Sequence, residues 1–321
     1  MLYIGCDVGG TNIRTAVVDE NGKILGDARM RALMEKGPNV VLGQIADSFR
    51  EALSRAKAKR EDVIAAGIAM AGQHDSKNGI CIFSPNFGWE NVPVIPPLQE
   101  QFPVPMFLGN DVNLAAFGEW KFGAGKGYKW VVMITLGTGI GGGAILDGKL
   151  MLGATEMFAE VGHMTILPDG PRCGCGNHGC WEALAGRDAI VRRAIQKLQT
   201  GRKSSLLEIK NYHWRDLNPE IIAKEAYKGD EVARETIEET GYWVGIGVAN
   251  LINIFNPELF IIGGRIALAG ELLFGAIERT VKARGLSASW GPCKIVPAAL
   301  GDDAGILGAV AYAMDKLGEE K

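Results

Sequence analysis

Residues 130–150 read W-V-V-M-I-T-L-G-T-G-I-G-G-G-A-I-L-D-G-K-L. An apolar run, a Gly-Thr turn, a second apolar run and a Gly-Lys hairpin predict three strands joined by tight turns. The N-terminus carries the same pattern. Residues 3–7 (Y-I-G-C-D) lead into the turn G-G-T-N, residues 13–19 (I-R-T-A-V-V-D) form the second run, and Asn21-Gly22 closes a hairpin onto K-I-L-G-D-A. Gly10-Thr11 and Gly137-Thr138 stand 127 residues apart, and Gly22-Lys23 and Gly148-Lys149 stand 126 apart. An internal match at that distance marks a duplicated domain, not a solenoid repeat.

Outward from these two segments the chain reads as mixed α/β. Val41, Ile45, Phe49 and Leu53 recur at helical spacing and predict a helix over 39–58. Residues 63–72 and 103–111 read as buried strands, the second followed by a helix beginning near Asp111. In the second half, helices are predicted near 186–199 and 219–254, a strand at 257–262, a long helix after Gly-Gly-Arg to about Gly285, a strand near 293–297, and a terminal amphipathic helix. No low-complexity linker separates the halves, so they are expected to pack around a cleft.

Composition excludes several classes. The 321 residues are long enough for a large core and two domains. Hydrophobic residues make up 47% and charged ones 22%, the balance of an ordinary soluble protein. A net charge of −3 argues against nucleic acid or an acidic membrane as partner. The N-terminus has no basic leader, and no apolar run suits a membrane span, so a cytoplasmic protein is expected. Cys6, Cys81 and Cys293 sit among apolar or small residues and read as core thiols.

The other three cysteines form a motif. Residues 160–182 contain Cys173, Cys175 and Cys180 within eight positions, with His163 ten residues upstream and Glu160 and Glu182 at either end. Three thiolates and an imidazole are a complete tetrahedral set for zinc, and a closed set of four indicates a structural site. The competing reading is a disulfide with a spare thiol. Cys173 and Cys175 are too close to pair easily, and a chain without a secretory leader is expected to stay reduced.

The glycine loops invite a second reading. Gly137, Gly139 and Gly142 fit G-x-G-x-x-G, but that dinucleotide fingerprint requires a helix next, and here a strand follows. A Gly-Thr turn between strands can still hold phosphate, because its backbone N–H groups and the Thr hydroxyl approach an anion closely. Asp7, beside the first turn, is placed to hold Mg²⁺ with bound phosphates. The plainer reading is that both loops are only tight hairpins.

Taken in order, D-V-G-G-T-N, L-G-T-G-I-G-G-G, E-V-G-H and C-G-C-G-N-H-G-C-W-E resemble the ROK family of sugar kinases and repressors, from about Tyr3 to Tyr312. The resemblance implies a two-domain actin-like ATPase (ribonuclease H-like) fold with a duplicated core and a cleft between the domains. Residues 1–115 with about 303–321 would form a small domain, and 116–302 a large one carrying the zinc loop. It implies an ATP-dependent hexokinase acting on the 6-hydroxyl of glucose, with ATP, Mg²⁺ and a structural Zn²⁺. Asp111 would be the general base. Gly72, Asn86, Asn110, Glu160, His163 and Glu182 would bind the sugar with it. Asp7, Gly9, Gly10, Thr11 and Asn12, with Gly137, Thr138 and Gly139, would cradle the phosphates, and Gly263-Gly264 would lie near the adenosine. The family often has Pro before Gly72, where this chain has Ala71. A helix N-cap is the alternative role for Asp111. Fructose, mannose or an N-acetylhexosamine are alternative substrates, and a sugar-sensing regulator without a DNA-binding domain is the alternative of another class. A homo-oligomer, dimer or tetramer, is implied. The zinc loop is expected to serve the sugar, and the Gly-Thr turns, separately, the nucleotide.

Overall fold

The computed structural model describes residues 1–208 and 216–319. They form two compact units: Met1–Lys129 with Gly143–Ala159 and the chain from Ala299 onward, and Trp130–Gly142 with Glu160–Ala298. Residues 209–215, 320 and 321 of the expected domains lie outside the described residues.

In the first unit, β1 (Leu2–Val8), β2 (Asn12–Asp19) and β3 (Ile24–Arg31) run antiparallel, joined by the predicted turns. Helix α1 (Pro38–Ala56) crosses to β4 (Val63–Met70), which pairs parallel with β1. A three-stranded sheet of β5 (Gln73–Asp75), β6 (Ile80–Ser84) and β7 (Trp89–Pro93) then intervenes. Sequence reading left this sheet unassigned, because strands as short and polar as Q-H-D carry no clear period of two. After α2 (Ile95–Gln101), β8 (Met106–Asn110) completes the sheet order β3-β2-β1-β4-β8, and α3 (Asp111–Phe122) starts where β8 stops.

Alternation along β1 decides what covers each face. Ile4, Cys6 and Val8 are fully buried in a cluster with Ile45 and Phe49 of α1, while Tyr3 joins Ile306 and Val310 of the C-terminal helix, Ala304–Glu319. That helix lies directly on backbone. A Cβ on Gly67 would overlap the Ala309 carbonyl, and one on Gly308 would overlap the Leu114 carbonyl of α3.

In the second unit, β9 (Val131–Leu136) leads through the Gly-Thr turn into β10 (Ile140–Leu146), within which the chain passes from one unit to the other. With β11 (Lys149–Leu150, among the residues of the first unit), β12 (Leu259–Gly263) and β13 (Lys294–Pro297), the sheet order is β11-β10-β9-β12-β13. Strand β12 is parallel to both neighbours. This repeats the first sheet strand for strand, as the duplicated turns predict. Helices α4 (Trp181–Ala185), α5 (Arg187–Gln199), α6 (Pro219–Tyr227), α7 (Glu231–Phe255), α8 (Glu271–Arg284) and α9 (Ser287–Trp290) complete the unit among the described residues.

Two predicted helices are shorter than expected. The segment 219–254 breaks at Gly229, whose φ of +97° ends one helix, and Asp230 caps the next by accepting the Ala233 N–H at 2.8 Å. After Gly264 the chain makes a 3-10 turn over Arg265–Ala269, and α8 begins only past Gly270, at φ +61°. Cys293 is only half-buried, unlike Cys6 and Cys81. Among the described residues no helix is long and apolar enough to cross a membrane.

Candidate functional site

The first group of site residues gathers at the C-terminal ends of β1, β4 and β8. The turn after β1 is closed by the Gly9 N–H on the Asn12 carbonyl (2.9 Å), and the Thr11 carbonyl accepts the Ala32 N–H (2.9 Å). Gly10 and Thr11 are exposed, Gly9 and Asn12 half-buried. The exposed Asn86 comes close to Gly10: a Cβ there would lie 3.8 Å from the Asn86 carbonyl oxygen.

Asn110 caps α3. Its Oδ1 accepts the N–H groups of Val112 (3.0 Å) and Asn113 (3.1 Å), and its Nδ2 donates to the Gly72 carbonyl (3.2 Å). Gly72 has φ +124°, which only glycine adopts without strain, so the loop after β4 depends on that residue whatever precedes it. The cap role considered for Asp111 therefore belongs to its neighbour. Asp111 is the first residue of the helix, half-buried, with Oδ1 accepting the Val112 N–H at 3.0 Å.

Asp7 is half-buried at the end of β1 and its carboxyl is pushed up to about 6. Loss of water is the largest cause, the nearby Asp111 charge adds to it, and Arg14 opposes it. Arg14 is held by Asp303 Oδ1 at 2.7 Å and by the Asp302 carbonyl. The backbone at Gly305 crowds the Asp7 carboxylate, since a Cβ there would lie 3.0 Å from Asp7 Cγ. The folded protein thus holds the Asp7 proton more tightly than an ordinary carboxyl with pKa 3.8. Asp7 costs stability once ionised: not at all below about pH 4, progressively between 4 and 6, and fully above. Asp7→Asn is expected to stabilise the ligand-free protein at pH 7.5 by at most about 3 kcal/mol, and to change little at pH 4. Urea unfolding at the two pH values measures this; equal effects at both would mean the cost is not electrostatic.

Sequence reading missed several supports of this group. Arg14 and Asp302 act on Asp7, Asp303 holds Arg14, and the fully buried Glu119 accepts the Leu300 N–H (2.7 Å) and the Ala124 N–H (2.9 Å), fixing the approach to the C-terminal helix. The paired Asp302-Asp303 just before a helix was the one signal available.

The second group lies in the other unit. Gly263, at the end of β12, is in register with Thr135 of β9, and Gly264 (φ +84°) packs against the Leu136 carbonyl. The Gly263-Gly264 pair and the Gly137–Gly139 turn are thereby neighbours at the ends of parallel strands. The turn is closed by the Gly137 N–H on the Gly139 carbonyl (2.9 Å) and held by the Arg187 N–H on the Gly137 carbonyl (3.0 Å).

Glu160 and His163 are exposed at the two ends of one 3-10 turn, whose Val161 and Gly162 are buried. His163 Nδ1 lies 3.7 Å from Cys173 Sγ, Cys175 Sγ lies 3.7 Å from Cys180 Sγ, and all four donor atoms fall within 4.8 Å of one another. Four ligands about 2.3 Å from one tetrahedral ion place their sulfurs about 3.8 Å apart. Burial pushes the Cys173 thiol up to about 12, so without an ion it stays protonated, and a thiolate there would need a cation beside it. The donor set fits a metal ion. Glu182, expected among the sugar ligands, lies against this loop and the Gly-Thr turn together: Oε1 is 3.7 Å from Cys173 Sγ, and Oε2 accepts the Ile140 N–H at 3.1 Å.

These motifs belong to one continuous likeness. The profile of the ROK family matches residues 3–316. The chain belongs to the ROK family. A glucokinase of Thermotoga maritima is 38% identical over 319 residues, 99% of each chain. The crystal structure of a ROK family glucokinase from Streptomyces griseus in complex with glucose and AMPPNP superposes with a TM-score of 0.84 at 36% identity, over 98% of this chain and 100% of that one. A xylose repressor of Caldicellulosiruptor bescii is 30% identical over 98% of this chain and 78% of its own length. This ROK chain has the two-domain actin-like ATPase fold of the family's kinases.

Proposed function

We propose that this ROK protein transfers the γ-phosphoryl group of ATP to the 6-hydroxyl of glucose. The observation that carries the reading is the placement of Asp111: a half-buried carboxylate on the first residue of α3, close to Asp7, with the capping of the helix taken over by Asn110. Full-length likeness to glucokinases supports it.

A sugar hydroxyl is a poor nucleophile until its proton has an acceptor, and phosphoryl transfer otherwise relies on positioning and charge stabilisation. Asp111 accepts the proton of the 6-hydroxyl as that oxygen attacks phosphorus and the bond to the β-phosphate oxygen breaks. Asn110, Gly72, Asn86, Glu160, His163 and Glu182 hold the sugar through their hydrogen-bonding groups. The turns at Gly9–Asn12 and Gly137–Gly139 present backbone N–H groups to the phosphates, and Gly263-Gly264 borders the nucleoside. Asp7 would hold Mg²⁺, which neutralises charge on the phosphates when bound.

His163, Cys173, Cys175 and Cys180 would hold a structural Zn²⁺. With Nδ1 turned toward the sulfurs, the neutral ring of His163 must carry its proton on Nε2, which makes it a hydrogen-bond donor for a sugar hydroxyl. A cytoplasmic homo-oligomer, dimer or tetramer, belongs to the same reading, and light scattering measures its size.

A panel of hexoses crossed with ATP, ADP and polyphosphate, followed by coupled detection of sugar phosphate, tests the function. Glucose with ATP and Mg²⁺ is expected to give the highest kcat/KM. Preference for fructose, mannose or an N-acetylhexosamine would move the substrate within the class. No phosphorylated sugar from any pair would sink the kinase reading.

A further inference from the structure

The sequence assigns the metal loop and the Gly-Thr turn to separate ligands, but the structure joins them through one short helix. Trp181 is fully buried; its Nε1 donates to the Trp243 carbonyl (2.9 Å), and Gly247 of α7 lacks the Cβ that would overlap the indole. Its N–H donates to the Met164 carbonyl (2.8 Å), one residue from His163. Helix α4 is thus locked to the metal loop at Cys180 on one side and to α7 on the other. Glu182, two residues on, takes the Ile140 N–H on Oε2, in the space a Cβ on Gly139 would fill. At the far end of α4, Gly186 packs under the turn: a Cβ there would meet the Thr138 carbonyl at 3.0 Å, and the next N–H, of Arg187, binds the Gly137 carbonyl.

We propose that Glu182 is a positioning residue for the nucleotide: its carboxylate fixes the Gly137–Gly139 turn, so the metal loop sets the affinity for ATP phosphates even when no sugar is present. The inference rests on the reading of that turn as a phosphate cradle. The physical basis is preorganisation. A glycine-rich turn loses much conformational freedom when it binds an anion, and a turn already held by a charge-assisted hydrogen bond loses less. Glycine at 139 then leaves the room that this carboxylate occupies.

The test measures binding of the ATP analogue AMPPNP with Mg²⁺ by calorimetry, with no sugar present, so that any role of Glu182 toward a hexose does not enter. Glu182→Ala is expected to weaken binding about tenfold, the loss of one charge-assisted hydrogen bond. Glu182→Gln keeps an acceptor for the Ile140 N–H and is expected to stay within about threefold of wild type. Gly139→Ala, which displaces the carboxylate without removing it, should weaken binding, and adding Glu182→Ala to it should cost little more. Should Glu182→Ala fail to fold by circular dichroism, Glu182→Gln and Gly139→Ala still decide. Wild-type affinity in both Ala variants would overturn the proposal, as would tighter binding in Glu182→Gln and Glu182→Ala alike, which would make the carboxylate a repulsive charge. Absence of AMPPNP binding to the wild-type protein would instead sink the nucleotide reading on which the proposal stands.

Discussion

Asp111→Ala is expected to lower kcat by roughly two to four orders of magnitude while the KM for glucose rises only a few-fold, the pattern of a lost general base. The reason lies in how β8 ends. Asn110 accepts two N–H groups of the following helix on its side-chain Oδ1, so that helix does not rest on Asp111 for its cap. Circular dichroism and the unfolding temperature should therefore change little, separating chemical from structural loss. Asp111→Asn keeps the shape and removes the basicity, and should be nearly as slow. A variant retaining wild-type kcat would remove Asp111 from the mechanism, and the kinase reading would then lose the base assigned to it.

Loss of the metal loop is the second large effect. Cys173→Ser removes a buried ligand that lies within reach of both His163 Nδ1 and Glu182 Oε1. The purified wild-type protein is expected to carry one zinc per chain and the variant almost none, by elemental analysis. Without the ion the remaining thiols reprotonate and the loop loses its closure, since structural zinc contributes folding energy outright. His163 and Glu182 are then misplaced together. The KM for glucose should rise roughly ten- to a hundredfold, the cost of one or two lost polar contacts. A metal-free variant with unchanged glucose KM would place the loop outside the sugar site. Trp181 is also held under α7 by its bond to the Trp243 carbonyl, and circular dichroism of the variant separates loss of the loop from global unfolding.

The sequence carried the parts of this protein whose physics is local. The strand–turn–strand pattern is legible because period-two burial and tight turns need only neighbouring residues, and its recurrence after 127 residues reveals the duplication seen in the two sheet orders. The cluster that could hold a metal was legible for the same reason, three thiols within eight residues on a loop rich in glycine. What only the tertiary structure decided are couplings across large separations in the chain. Glu119 reaches the Leu300 N–H 181 residues away, Arg14 reaches Asp303 across 289, and Glu182 finds the Ile140 N–H 42 residues back. None of these has a sequence period, because each depends on how elements pack and where backbone comes close. The choice between Asn110 and Asp111 as helix cap was of the same kind. Both residue types cap helices, and only the exact end of β8 and the Gly72 carbonyl beside it set which side chain turns back onto the helix.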